Sequence, residues 1–138
     1  MLWSAGTENS GIAMFVQHNR LVLDYNAFDD HAIVESTTEI PARETVLVAH
    51  FRRDGQRGGS IQLEIDGANA GRIDIPTYLW IVSSVGSSIG YNHGSAVSRR
   101  YQAPFAFEGT LHEVVFDLVT PAPAEVDEAS ARAAMSRQ

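Results

Sequence analysis

The sequence of 138 residues has no cysteine, no lysine and only five prolines. Without cysteine there can be no disulfide, no zinc–thiolate centre and no thiol nucleophile. The same absence favours a cytoplasmic setting slightly over a periplasmic one and leaves the compartment open. All ten basic residues are arginine, which removes a Schiff-base lysine and a P-loop lysine. No run of about 18 apolar residues occurs, so no membrane-spanning helix is expected. Residues 1–9 show neither the basic nor the apolar region of a secretory signal. A net charge of −7 argues against nucleic acid as a partner. No Gly-x-Gly-x-x-Gly opens a helix, no Gly-x-Ser-x-Gly elbow exists, and no two histidines have metalloprotease spacing.

What is present is apolar alternation of period two. Hydrophobic residues make up 44% and charged residues 20%, a globular balance. Residues 12–16 and 21–25 flank a turn at Asn19 and predict a hairpin. Strands are expected over 31–35 and 45–53. A Gly-rich loop over 54–59 follows. Ile61-Gln62-Leu63-Glu64-Ile65 alternates, Asp66-Gly67 turns, and 70–75 returns. Asp-Gly between alternating runs is a strong hairpin signal. Further short strands are expected over 80–82, 88–90, 105–107 and 110–118. The pattern predicts an all-β domain over 1–119, an antiparallel β-sandwich or jelly roll. Beyond it, Pro121 and Pro123 precede a tail, 120–138, rich in Ala, Glu and Arg, a short helix or frayed end.

Several residues carry chemistry in principle. Glu64 and Asp66 follow part of a Glu-x-Asp-x-x-Glu glycosidase pattern, but Asn69 stands at its third acidic position and the turn accounts for Asp66. Asp29-Asp30-His31 could hold a metal only from a loop, because neighbours on a strand point to opposite faces. His50 and His112 are expected to be structural residues in strands, whereas His93 sits in a Gly-flanked loop. Tyr78, Trp80, Tyr91 and Tyr101 are candidates for a sugar-stacking platform.

Four phrases occur in order. Residues 21–28 match L-x-Y-x-Y-N-x-F in part. Gly58-Gly59-Ser60-Ile61-Gln62-Leu63-Glu64-Ile65-Asp66-Gly67 is similar to GG-x-x-x-L-x-V-D-G. Ile89-Gly90-Tyr91-Asn92-His93-Gly94-Ser95-Ala96-Val97-Ser98, with Tyr101, is similar to IG-x-D-x-G-S-P-V-S…Y. Pro104-Phe105-Ala106-Phe107-Glu108-Gly109-Thr110-Leu111 is similar to PF-x-F-x-G-T-I. Together they resemble the C-terminal concanavalin A-like domain of long bacterial arylsulfatases, over about residues 11–118. Asn92 stands where the phrase has Asp, and Ala96 where it has Pro.

The resemblance implies a domain set behind a sulfate ester hydrolase. The hydrolase nucleophile arises in a C/S-x-P-x-R motif. The nearest run here, Pro41-Ala42-Arg43, has Glu39 at the nucleophile position. No catalytic residue, metal ligand or cofactor is therefore expected in this chain. The implied role is non-catalytic, packing on a sulfatase catalytic domain and shaping its substrate entrance. A lectin-like module that binds carbohydrate is the alternative. Tyr91, Asn92, His93, Tyr101 and Trp80 are the candidate binding residues, with no nucleic acid or membrane partner expected.

Overall fold

The computed structural model describes residues 1–54, 57–76, 86–92 and 94–117. Eight strands run in order: β1 (Trp3–Gly6), β2 (Gly11–Gln17), β3 (Arg20–Ala27), β4 (Asp30–Glu35), β5 (Leu47–Asp54), β6 (Gly58–Ile65), β7 (Ala68–Ile75) and β8 (Ser87–Ile89). They form an antiparallel five-stranded sheet, β4-β3-β2-β1-β8, and a three-stranded sheet, β5-β6-β7. The fold is all-β and sandwich-like, with no helix among the described residues. None there is thus long and apolar enough to cross a membrane.

Two-residue turns build three hairpins among the described residues: His18-Asn19, Phe28-Asp29 and Asp66-Gly67, each with positive φ at both positions. This handedness matches the right-handed twist of paired strands. Asp66 and Gly67 suit it chemically, as does Asn19. Phenylalanine does not, and Phe28 sits there at φ 53°.

Period-two alternation sorts side chains as the sequence implies. Leu21, Leu23 and Tyr25 of β3 meet Ile61, Leu63 and Ile65 of β6 in the core between the sheets. Leu47, Ala49 and Phe51 join that core, while Val48, His50 and Arg52 pair along the other face. One flank is tied by the Thr37 amide donating to the Ala70 carbonyl, 2.8 Å, where β4 runs beside β7.

The opposite face of the five-stranded sheet is also covered. Ala13, Phe15 and Val22 pack there against Met1, Val97, Tyr101 and Phe105, a second core built by the chain after β8. This explains why β3 reads as an almost unbroken apolar run: six of its eight residues are buried. A strand buried on both faces loses the polar alternation of a one-sided strand.

Some expectations are corrected. Strand β1 carried no alternation that marked it in advance. Residues 105–107 and 110–117 form no strand, and position 118 lies outside the described residues. Phe105 enters the outer core and Phe107 and Leu111 the one between the sheets, whereas Val115 and Phe116 stay exposed. The Phe107 ring folds over Gly109 so closely that a Cβ there would lie 2.7 Å from it. His112 is consequently an exposed residue outside any strand. The loop expected over 54–59 is shorter, because Asp54 already pairs with Gly58. The strand over 80–82 and the tail over 120–138 lie outside the described residues, as do Tyr78, Trp80 and His93.

Candidate functional site

Polar residues on a doubly buried strand need partners, since an unpaired buried polar group costs several kcal/mol. Strand β3 places two, Asp24 and Asn26, on its outer face, both fully buried. Asn26 meets the demand with three segments. Its Nδ2 donates to the Glu8 carbonyl at 2.8 Å and the Val97 carbonyl at 3.1 Å, and its Oδ1 accepts the Asp29 amide at 2.8 Å. One side chain thereby joins the β1–β2 loop, the segment after β8 and the Phe28-Asp29 turn.

Asp24 is paired with His31 of β4, whose Nδ1 lies 2.9 Å from both carboxylate oxygens. The imidazole N–H donates to the buried carboxylate, which fixes the ring. Nε2 then faces outward, 3.5 Å from Asp29 Oδ1, longer than a well-formed hydrogen bond. Arg99 Nη2 donates to that same Asp29 oxygen at 2.5 Å. The order from interior to solvent is therefore carboxylate, imidazole, carboxylate, guanidinium.

His31, Asp29 and Arg99 line a groove of about 680 Å³ between the Phe28-Asp29 turn, the β1–β2 loop and residues 96–101, with Asp24 buried behind it. Tyr101 also lines it. Its ring stacks on Phe105, centroids 4.9 Å apart, and meets Phe15 edge-on at 5.1 Å. The Tyr101 hydroxyl is buried, faces the Val97 and Ser98 amides and has no acceptor for its proton. Burial pushes the phenol up to about 12, against a smaller lowering by the Val97 and Ser98 amides. Phe28 stands at the rim, 73% exposed.

The residues singled out from sequence separate. Tyr101 is buried, while Tyr91 is exposed, so they share no exposed aromatic platform. Asn92 is buried: its Oδ1 accepts the Ser4 hydroxyl at 2.9 Å and its Nδ2 donates to the Ser95 carbonyl at 3.1 Å. It anchors the segment to β1. Asp29 and His31 do approach one another, but Asp30 turns to the other side of β4, toward a hollow of about 190 Å³ beside Ile73 and Pro76. Among the described residues no three His, Asp or Glu side chains converge as metal ligands. Glu64 lies beside His50, 3.3 Å away, on the polar face of the three-stranded sheet. Asp66 is occupied in its turn by the Val46 amide at 2.9 Å and Arg43 at 2.6 Å.

Sequence reasoning missed Asp24, Phe28 and Arg99 as members of this cluster. One signal was available: an aspartate and an asparagine inside the run Leu21-Val22-Leu23-Asp24-Tyr25-Asn26. Comparison with known proteins adds no assignment: no family model, no curated protein and no solved structure matches this chain.

Proposed function

We propose that the chain is a non-catalytic accessory module of an arylsulfatase-type sulfate ester hydrolase, of the concanavalin A-like jelly-roll type. It packs on the catalytic domain and shapes the substrate entrance. The reading rests on the four sequence phrases. One observation of the fold supports it: the two last phrases surround an exposed apolar margin, with Ile89 and Tyr91 in one and Val115 and Phe116 following the other. Phe116 reaches back to Trp3, ring centroids 5.3 Å apart, so the margin borders β1 and β8, the last strand of that sheet among the described residues. Large exposed hydrophobics gathered at a sheet edge suit burial against another domain. The module needs no cofactor for this role.

The test is made in the full product of the gene. Ile89→Asp with Tyr91→Asp should raise KM for an aryl sulfate and weaken the association of the two domains under limited proteolysis. Hydrolysis and domain association unchanged by this double substitution would refute the docking role. A gene product without any sulfatase catalytic segment would refute the reading itself.

A further inference from the structure

His31 has an unusual setting for a structural histidine. Its Nδ1 is fixed by Asp24, a carboxylate with no exposed surface that sits behind the ring on β3. The proton therefore stays on Nδ1, and the Nε2 lone pair faces the groove. Opposite it is Asp29 Oδ1, 3.5 Å away. Two acceptors that confront one another repel unless a positive group lies between them. A proton on Nε2 would draw the carboxylate in to about 2.8 Å, the length of a charge-assisted bond. The separation found is instead that of two ligands on one ion. Donors each about 2.1 Å from a tetrahedral metal stand about 3.4 Å apart.

We infer that His31 Nε2 and the Asp29 carboxylate hold one divalent transition-metal ion, zinc being the best match to an imidazole with a carboxylate, and that Asp24 is the positioning residue behind the ring. A hydrogen bond from the far ring nitrogen to a carboxylate is the usual support of a ligating histidine, because it sets the tautomer and the ring orientation. The turn contributes as well. Asn26 accepts the Asp29 amide and so fixes the backbone from which the second ligand projects. Two protein ligands leave the remaining positions to water from the groove, so the affinity is modest. Arg99 is the competitor. It donates to the same Asp29 oxygen, but the two side chains are 73% and 62% exposed, and an exposed pair contributes little. A dication can displace it. His50 and Glu64 make a contrasting pair at 3.3 Å: that ring is 57% exposed, and among the described residues no buried carboxylate fixes its other nitrogen. The site is distinct from the Tyr91 margin, so the inference stands apart from the accessory reading.

Calorimetric titration of the untagged chain with zinc chloride at neutral pH tests it, with cobalt(II) absorption as the report on coordination. One equivalent should bind with Kd below about 1 mM. His31→Gln and Asp29→Asn should each weaken binding about tenfold or more, and asparagine keeps the turn because it tolerates positive φ. Asp24→Asn should weaken it about tenfold in chain that is still folded, the loss expected when the support of a ligating imidazole is removed. A merely structural Asp24 would move the thermal midpoint alone. Arg99→Gln should tighten binding, since the competing cation is gone, and His50→Gln should leave it unchanged. No zinc bound by the parent, full binding by Asp29→Asn or by Asp24→Asn, weaker binding by Arg99→Gln, or loss in His50→Gln would each overturn the inference. Calcium taken up as tightly as zinc would overturn it too, because that ion would sit on carboxylates without the imidazole.

Discussion

Truncating Asn26 should cost more than any other single polar substitution on the outer face of the five-stranded sheet. Asn26→Ala deletes bonds of 2.8, 3.1 and 2.8 Å to Glu8, Val97 and Asp29. A neutral hydrogen bond contributes about 1 kcal/mol net, and a partner left buried without water costs about 1–3 kcal/mol. The Val97 carbonyl is the most enclosed partner, whereas Glu8 and Asp29 lie nearer solvent. A loss of about 3 kcal/mol follows, or roughly 10 °C in Tm for a chain of this size. Urea unfolding followed by tryptophan fluorescence measures it, with Asn26→Asp as the second variant. That variant keeps the acceptor for the Asp29 amide but sets a carboxylate against two carbonyl oxygens, so it should lose at least as much at neutral pH. A loss below about 1 kcal/mol for Asn26→Ala would refute the reasoning, because the three segments would then be held elsewhere.

Four further outcomes are expected. Gly11→Ala should destabilise by about 1–3 kcal/mol in thermal unfolding, since its Cβ would lie 2.6 Å from the Ala5 carbonyl and 2.9 Å from Val97 Cγ2. Asn92→Asp, although it restores the residue of the family phrase, should lower the urea midpoint by exchanging the donor to the Ser95 carbonyl for a buried charge. Asp66 is held below its ordinary 3.8, first by the Val46 amide and also by Arg43. Its stabilising contribution is therefore complete above about pH 4 and fades as acid protonates it, so Asp66→Asn should flatten the acid limb of stability against pH. The Tyr101 phenol is raised from 10.0 to about 12, so its contribution is complete below pH 10 and is lost as pH climbs toward 12. Phenolate absorbance should show a late-titrating step, and Tyr101→Phe should diminish it by one phenol.

Hairpins were the legible part of the fold. Asn19 and Asp66-Gly67 mark their turns by backbone preference, and the alternation of residues 47–51 and 61–65 assigns each side chain to its face. Strand β1 was illegible because four residues ending in Ala5-Gly6 carry no pattern of their own. Residues 105–116 misled for the opposite reason. Their apolar residues alternate in sequence, but Phe105 and Phe107 enter two different cores without a ladder partner, and Val115 and Phe116 stay exposed. The groove was half legible. Asp29 and His31 stood out as polar neighbours, yet their relation to Asp24 and Arg99 depends on strand register and on a contact across 70 residues. Phe28 looked like any aromatic until its φ was known.

The double covering of the five-stranded sheet has a consequence for how the molecule opens. The core between the sheets is assembled largely from neighbouring hairpins, whose ends meet after short stretches of chain. The outer core closes only when residues 92–105 return to strands laid down some 70–90 positions earlier, as the Asn26–Val97, Gln17–Arg100 and Ser4–Asn92 bonds show. Closing so long a loop costs entropy that each contact must offset. The outer layer is therefore the natural unit of sub-global unfolding, exchanging its amide hydrogens sooner than the hairpins beneath it.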